Sequence, residues 1–167
     1  SLPYLVNGHN FSFDDYELKL GIEALEEALE VSLLNAWVNS FEYGKIIECK
    51  HDVSLTIRNH HRLKGAKLRA YTDGRYFENK LFKLKVYNAK ARIVKQLGKA
   101  ERDMLKRLGE YDPKKNYLKI EMHYKKPERM FSSAKGVHLI DLMEKGFINL
   151  CKENLLSMYK LIEKGGE

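Results

Sequence analysis

The chain has 167 residues, with 30 Lys/Arg against 23 Asp/Glu and a formal net charge of +7, a length that fits one domain with a sizeable core. No run of about 18 uncharged apolar residues occurs and no basic segment followed by an apolar one opens the chain, so neither a membrane span nor a secretory signal is visible and the expected setting is the cytoplasm. Cys49 and Cys151 lack C-x-x-C spacing, which speaks against a zinc ribbon or a disulfide framework and leaves both as expected core residues.

The charge is unevenly spread. Residues 1–57 carry 3 Lys/Arg and 10 Asp/Glu, residues 58–107 carry 16 and 4, and residues 108–167 carry 11 and 9. A basic field concentrated in the middle third is the footprint of a polyanion binder, because each cation that meets a phosphate releases condensed counterions. A solvated surface that aids solubility would leave the same composition.

Taken in chain order, Ser12 to Asp15 has the spacing of a capping box, and Leu18, Ile22, Leu25, Leu29, Leu33 and Ala36 recur at helical spacing, predicting one helix over 14–39. After Gly44, residues 45–58 alternate, with Ile47, Cys49, His51 and Val53 opposite Glu48, Lys50 and Asp52, which predicts a strand with one polar face. Residues 67–71 and 81–87 read as a hairpin around Thr72-Asp73-Gly74, since Asp-Gly supplies the backbone angles of a tight turn. In its second arm Lys83, Lys85 and Tyr87 alternate with Phe82, Leu84 and Val86. From Ala89 the period becomes helical to Leu108, ringed by Lys90, Arg92, Lys95 and further cations. Residues 117–124 alternate again, with Lys119, Glu121 and His123 on the polar side. Two helices are expected at 138–145 and 147–164, and His60-His61 reads as a loop pair. The sum is an α+β domain, an antiparallel sheet with helices covering one face.

If the helices cover the apolar face, Glu48, Asp52, Tyr87, Glu121 and His123 look toward one open side. Carboxylates and an imidazole beside a tyrosine suit Mg²⁺ or Mn²⁺, and a metal there would polarise a phosphodiester. A phenol titrates near 10 and needs neighbouring positive charge to act as a nucleophile. Lys90, three residues after Tyr87, has the spacing to supply it if the chain turns helical at Tyr87. Ordinary roles stay open for the same residues: a tyrosine at a strand end as a rim residue, Asp52 and Glu121 as cross-strand partners of lysines, and His123 as a surface histidine.

Several segments together resemble a known family. The order Gly8-His9-Asn10, a long helix, Lys50-His51-Asp52, then Leu84-Lys85-Val86-Tyr87-Asn88-Ala89-Lys90, then Tyr117-Leu118-Lys119-Ile120-Glu121 is similar to that of the replication initiators encoded by gene two of filamentous phages and their plasmid relatives, within the HUH-type endonuclease class. The resemblance implies a single nickase core domain over 1–167. It also implies a rolling-circle initiator that cuts and rejoins single-stranded DNA through a 5′-phosphotyrosine intermediate, without ATP. Tyr87 would be the nucleophile and Lys90 its cation, with Asp52 and Glu121, joined by His123, as ligands of Mg²⁺ or Mn²⁺. Lys83, Lys85, Arg92 and Lys95 would hold the DNA backbone. Expected partners are single-stranded or melted origin DNA and host replication proteins in a bacterial cytoplasm, with no membrane. Members of the family carry strands ahead of the Gly-His-Asn segment, so this chain is expected to lack part of the sheet. Lys50 replaces the family's arginine, His51 its isoleucine, and no His-hydrophobic-His triplet occurs. A non-catalytic DNA- or RNA-binding module and a structural interaction protein remain alternatives.

Overall fold

The computed structural model describes residues 15–131 and 136–165. The Gly8-His9-Asn10 segment and Ser12 of the capping pattern lie outside the described residues. An α+β fold is present, built on a five-stranded antiparallel sheet. Its strands are β1 (Phe41–Cys49), β3 (Lys67–Tyr71), β4 (Gly74–Glu78), β5 (Phe82–Asn88) and β6 (Asn116–Tyr124), in the spatial order β1-β6-β5-β4-β3. A small second sheet pairs β2 (His60–Arg62) with β7 (Glu163–Lys164). The helices are α1 (Asp15–Leu29), α2 (Val53–Arg58), α3 (Ala89–Gln96), α4 (Lys99–Arg107), α5 (Pro127–Met130) and α6 (Lys145–Lys160), with a 3₁₀ turn at Leu139–Met143. No helix among the described residues is long and apolar enough to cross a membrane.

Period-two alternation in β4, β5 and β6 gives the sheet two unlike faces. Phe77, Phe82, Leu84, Val86, Leu118, Ile120, Met122 and Tyr124 line one face and are buried under Val53 and Ile57 of α2, Leu155 of α6 and Ile162. The opposite face carries Lys83, Lys85 and Tyr87 of β5 beside Lys119, Glu121 and His123 of β6. Helices do not cover the apolar face alone. Ala89 and Ile93 of α3 and Leu105 of α4 form a second cluster with Tyr111 and Tyr117, closing one end of the polar face.

Several element boundaries depart from the sequence reading, each for a local reason. The first helix stops at Leu29 because Glu30 turns left-handed at φ 53° and Val31 N–H bonds back to the Glu26 carbonyl, a Schellman-type end. The strand expected over 45–58 starts earlier, at Phe41, and ends at Cys49. Asp52 then caps α2, its carboxylate accepting from Ser54 N–H at 2.6 Å. Val53 and Ile57, four apart, are buried while Leu55 is exposed, which is helical spacing hidden inside an alternating pattern. His51, expected on the apolar side, is exposed.

The expected two-arm hairpin is a three-stranded meander, since residues 74–78 form β4 and Asn79 Oδ1 turns the chain by accepting from Leu81 and Phe82 N–H. The helix expected over 89–108 breaks at Leu97, which is extended, and restarts with Gly98 N–H donating to Glu101 Oε2 at 2.6 Å. His60 is buried on β2 rather than placed in a loop, bonded to the Thr56 carbonyl and the Tyr159 hydroxyl.

Candidate functional site

Register places the polar residues. Lys85 stands opposite Glu121, Lys83 opposite His123 and Tyr87 opposite Lys119 on the central pair β5–β6. On the outer sides of that pair, two glycines face the two central residues: Gly44 of β1 pairs with Glu121, and Gly74 of β4 pairs with Tyr87. A Cβ at Gly44 would meet the Ile120 carbonyl at 3.1 Å and Glu121 Cβ at 3.2 Å. One at Gly74 would meet Tyr87 Cβ at 3.0 Å and the Tyr76 ring at 3.2 Å. Glycine in a strand often marks such a close approach.

Glu121 is the hub and is only 7% exposed. Lys85 Nζ donates to its Oε1 at 2.6 Å, Lys119 Nζ lies 3.1 Å from Oε2, and the Tyr87 hydroxyl donates to Oε2 at 3.2 Å. Lys85 also reaches Glu42 Oε1 at 2.7 Å, and His123 Nδ1 lies 3.5 Å from that oxygen. Above the tyrosine the Arg92 guanidinium sits 4.7 Å from the Tyr87 ring centre, and it donates to the Tyr76 hydroxyl. Glu42, Lys85, Tyr87, Arg92, Lys119 and Glu121 line a polar cleft of about 110 Å³, walled by Ala89, Ile93 and Leu97. That is well below the ~300 Å³ of a small-molecule pocket and suits a phosphate group better than a whole nucleoside.

The charges are strongly coupled to this geometry. Burial opposes ionisation of Glu121, but Lys119 and Lys85 outweigh it and hold the carboxyl well below the usual range. Burial likewise disfavours the Lys85 ammonium, and Glu121 and Glu42 more than restore it, so its pKa is raised. Tyr87 is pushed far up, first by burial and then by the negative charge of Glu121, so its phenol is a firmly protonated donor. His123 is pushed down by burial and by the lysines around it, against the attraction of Glu42.

The predicted site residues separate into distinct places. Tyr87, Glu121 and Lys85 meet in the cleft, and Arg92 joins them as the cation over the phenol. Lys90, expected in that role, is absent from the lining of the cleft and acts electrostatically on Asp52 at the start of α2. The helix begins at Ala89 with Asn88 as its cap, so Lys90 turns away from the phenol and Arg92 turns toward it. Asp52, expected on the polar face, is an exposed helix cap, its carboxyl lowered chiefly by the Ser54 hydrogen bond. Lys83 pairs with Glu78 at 3.3 Å and Lys95 with Asp73 at 3.1 Å. Glu48, also expected in the cluster, pairs with Lys115 at 2.8 Å near the rim.

Glu42 and Tyr76 are site residues that the sequence reading passed over. Reading Gly44 as the end of a connection hid Glu42, which shares the alternation of β1 two residues earlier. Lys119 was visible as a polar-face residue, but its pairing with Glu121 depends on both side chains bending along one strand.

Asp52, Glu121 and His123 do not fit a single divalent ion as one donor set. Asp52 belongs to the end of α2, and both oxygens of Glu121 are occupied by lysine ammonium groups, with Lys85 standing between Glu121 and Glu42 where a cation would otherwise be needed. Among known proteins no family model, no curated protein and no solved structure matches the chain.

Proposed function

We propose that this domain nicks and rejoins single-stranded DNA on the polar face of its sheet, as a rolling-circle initiator of the HUH-like class, with Tyr87 as the nucleophile. The observation that carries the reading is the Tyr87 hydroxyl donating to Glu121 inside a phosphate-sized cleft that also holds Lys85, Lys119 and Arg92. A nucleophile, a proton acceptor and three cations thus converge where a phosphodiester would sit.

The resting state is not reactive, because Glu121 is held ionised by its lysines and the phenol is held protonated. A phosphate entering the cleft competes with Glu121 for Lys85 and Lys119. As those cations swing to the phosphate oxygens, Glu121 loses the charges that lower its pKa and becomes a better base. It then takes the phenol proton as the Tyr87 oxygen attacks phosphorus. The bond from phosphorus to the 3′-oxygen breaks, and that oxygen takes a proton from water, leaving a free 3′-hydroxyl and a 5′-phosphotyrosine. Attack by a 3′-hydroxyl on that linkage reverses the step and closes the strand. Arg92 over the ring favours the developing phenolate. Lys83 and Lys95, with their carboxylate partners, exchange to backbone phosphates at the rim.

A second reading has its own support. The burial and raised pKa of Tyr87 suit a non-catalytic module that binds single strands through the same cations. Labelled single-stranded fragments tiled across the protein's own replicon, incubated in Mn²⁺ or in EDTA and run on a denaturing gel, separate the two. A covalent adduct that disappears in Tyr87→Phe supports the nickase. Tight binding with no adduct in either condition supports the binding module, and absence of binding at about 50 mM salt overturns both.

A further inference from the structure

Beside the cleft, three tyrosines form a continuous line. Tyr71 at the end of β3 pairs with Gly74, and Gly74 pairs with Tyr87, so the three positions stand in one row across the polar face. Because Gly74 has no side chain, the ring of Tyr76 lies over it and fills the space between the outer two. Ring centres are 4.7 Å apart from Tyr71 to Tyr76 and 6.5 Å apart from Tyr76 to Tyr87. Arg92 sits over both inner rings, 5.8 Å from Tyr76 and 4.7 Å from Tyr87. Tyr87 and Tyr76 are buried, whereas Tyr71 is 46% exposed at the open end of the row.

The row is held rigidly against the cleft. Arg75 Nη1 donates to the Tyr71 carbonyl at 2.8 Å and to the Gly74 carbonyl at 3.1 Å, fixing the hairpin tip. Asn88 N–H donates to the Asp73 carbonyl at 2.8 Å, and Lys95 ties α3 to the Asp73 carboxylate. A half-exposed aromatic packed against Tyr76 on a hairpin tied to a cationic cleft is a platform for a flat partner with a charged neighbour. A nucleobase attached to a phosphate is such a partner.

We propose that Tyr71 is a base-stacking platform that seats a nucleotide next to the phosphate held in the Tyr87 cleft, which makes the ligand a strand with unstacked bases. The inference rests on the polar face being a nucleic-acid site, but not on Tyr87 being a nucleophile. A base inside a duplex has both faces covered by its stacked neighbours, so it cannot lie on Tyr71 without leaving the stack.

Fluorescence anisotropy tests this with a labelled 20-residue thymidine strand, an abasic strand with the same number of phosphates, and the same thymidine strand in duplex. The proteins are the wild type, Tyr71→Ala, Tyr71→Phe and Leu108→Ala, the last being an exposed apolar residue outside the row. Tyr71→Ala is expected to weaken thymidine-strand binding about tenfold, with Tyr71→Phe and Leu108→Ala within twofold of wild type. On the abasic strand Tyr71→Ala and wild type bind equally, and duplex binds more weakly than the thymidine strand to wild type. Equal binding of the thymidine strand to wild type and Tyr71→Ala, or an equal loss on both single strands, overturns the platform while leaving the cleft as a phosphate site. If the thymidine strand does not bind at all, platform and polar-face reading fall together. A stacking signature without any Tyr87 adduct keeps the platform and removes the nickase.

Discussion

The two faces of one sheet solve opposite problems. On the apolar face Phe77, Leu84, Val86, Met122 and Tyr124 are essentially inaccessible and packed against α2 and α6, and burial there stabilises the fold by roughly 1.5–3 kcal/mol for each large side chain. On the polar face Glu121 is buried and its lysines are half-buried, and desolvation offsets part of the Coulombic attraction that holds them together. A fold that places a nearly inaccessible carboxylate, two ammonium groups and a phenol beside an apolar core is suited to binding or chemistry there. The difference shows that strand alternation can give one sheet an apolar face that packs and a polar face that gathers charge.

Mutations at matched depths sharpen that contrast. Phe77→Ala opens a cavity in the apolar core and is expected to cost about 3–5 kcal/mol in urea unfolding. A cost below about 1 kcal/mol would show that this face is not the main core. Glu121→Ala leaves Lys85 and Lys119 without their shared partner and is expected to cost about 3 kcal/mol, close to the core mutation although it removes a charge rather than a ring.

The carboxylate also predicts a pH dependence. Glu121 has a folded-state pKa below its unfolded value, so its contribution is fully present above the unfolded value of about 4.3 and is lost as pH falls toward the folded one. Wild-type stability should therefore fall below about pH 4, and Glu121→Gln should flatten that fall. An unchanged acid limb in the variant would break the assignment of Glu121 as the hub.

Tyr87→Phe keeps the ring under Arg92 and removes only the hydroxyl. It is expected to change stability by about 1 kcal/mol or less while abolishing any covalent adduct, whereas a large loss of stability would make the tyrosine a structural residue. The smallest effect is expected at the rim, where Lys95→Ala breaks an ion pair whose lysine is 62% exposed and should shift stability by no more than about 0.5 kcal/mol. Its consequence should appear instead as a shallower salt dependence of oligonucleotide binding.

Much of the sheet was legible in the sequence because alternation is written residue by residue. Strands β5 and β6 and the polar placement of Lys83, Lys85, Tyr87, Glu121 and His123 follow from period two alone, and β3 was marked by the Asp73-Gly74 turn that follows it. Strand β4 was not legible, since Gly74–Glu78 is too short and mixed to show a pattern, although it supplies Tyr76 and the glycine beneath it. Residues 53–57 satisfied both a strand and a helix pattern, and only the Asp52 cap and packing against the sheet chose the helix. That choice removed Asp52 from the polar face.

Composition and periodicity by themselves determined an α+β domain with a basic middle and a sheet of two unlike faces. Which charges meet was decided by tertiary structure alone. Strand order and register set Lys85 opposite Glu121 and Glu42 within reach of Lys85. The start of α3 at Ala89 turned Arg92 rather than Lys90 toward Tyr87. The physical reason is one of range. Periodicity reports which side of its own element a residue faces, whereas an ion pair or a cation over a ring depends on a few ångströms between elements distant in the chain.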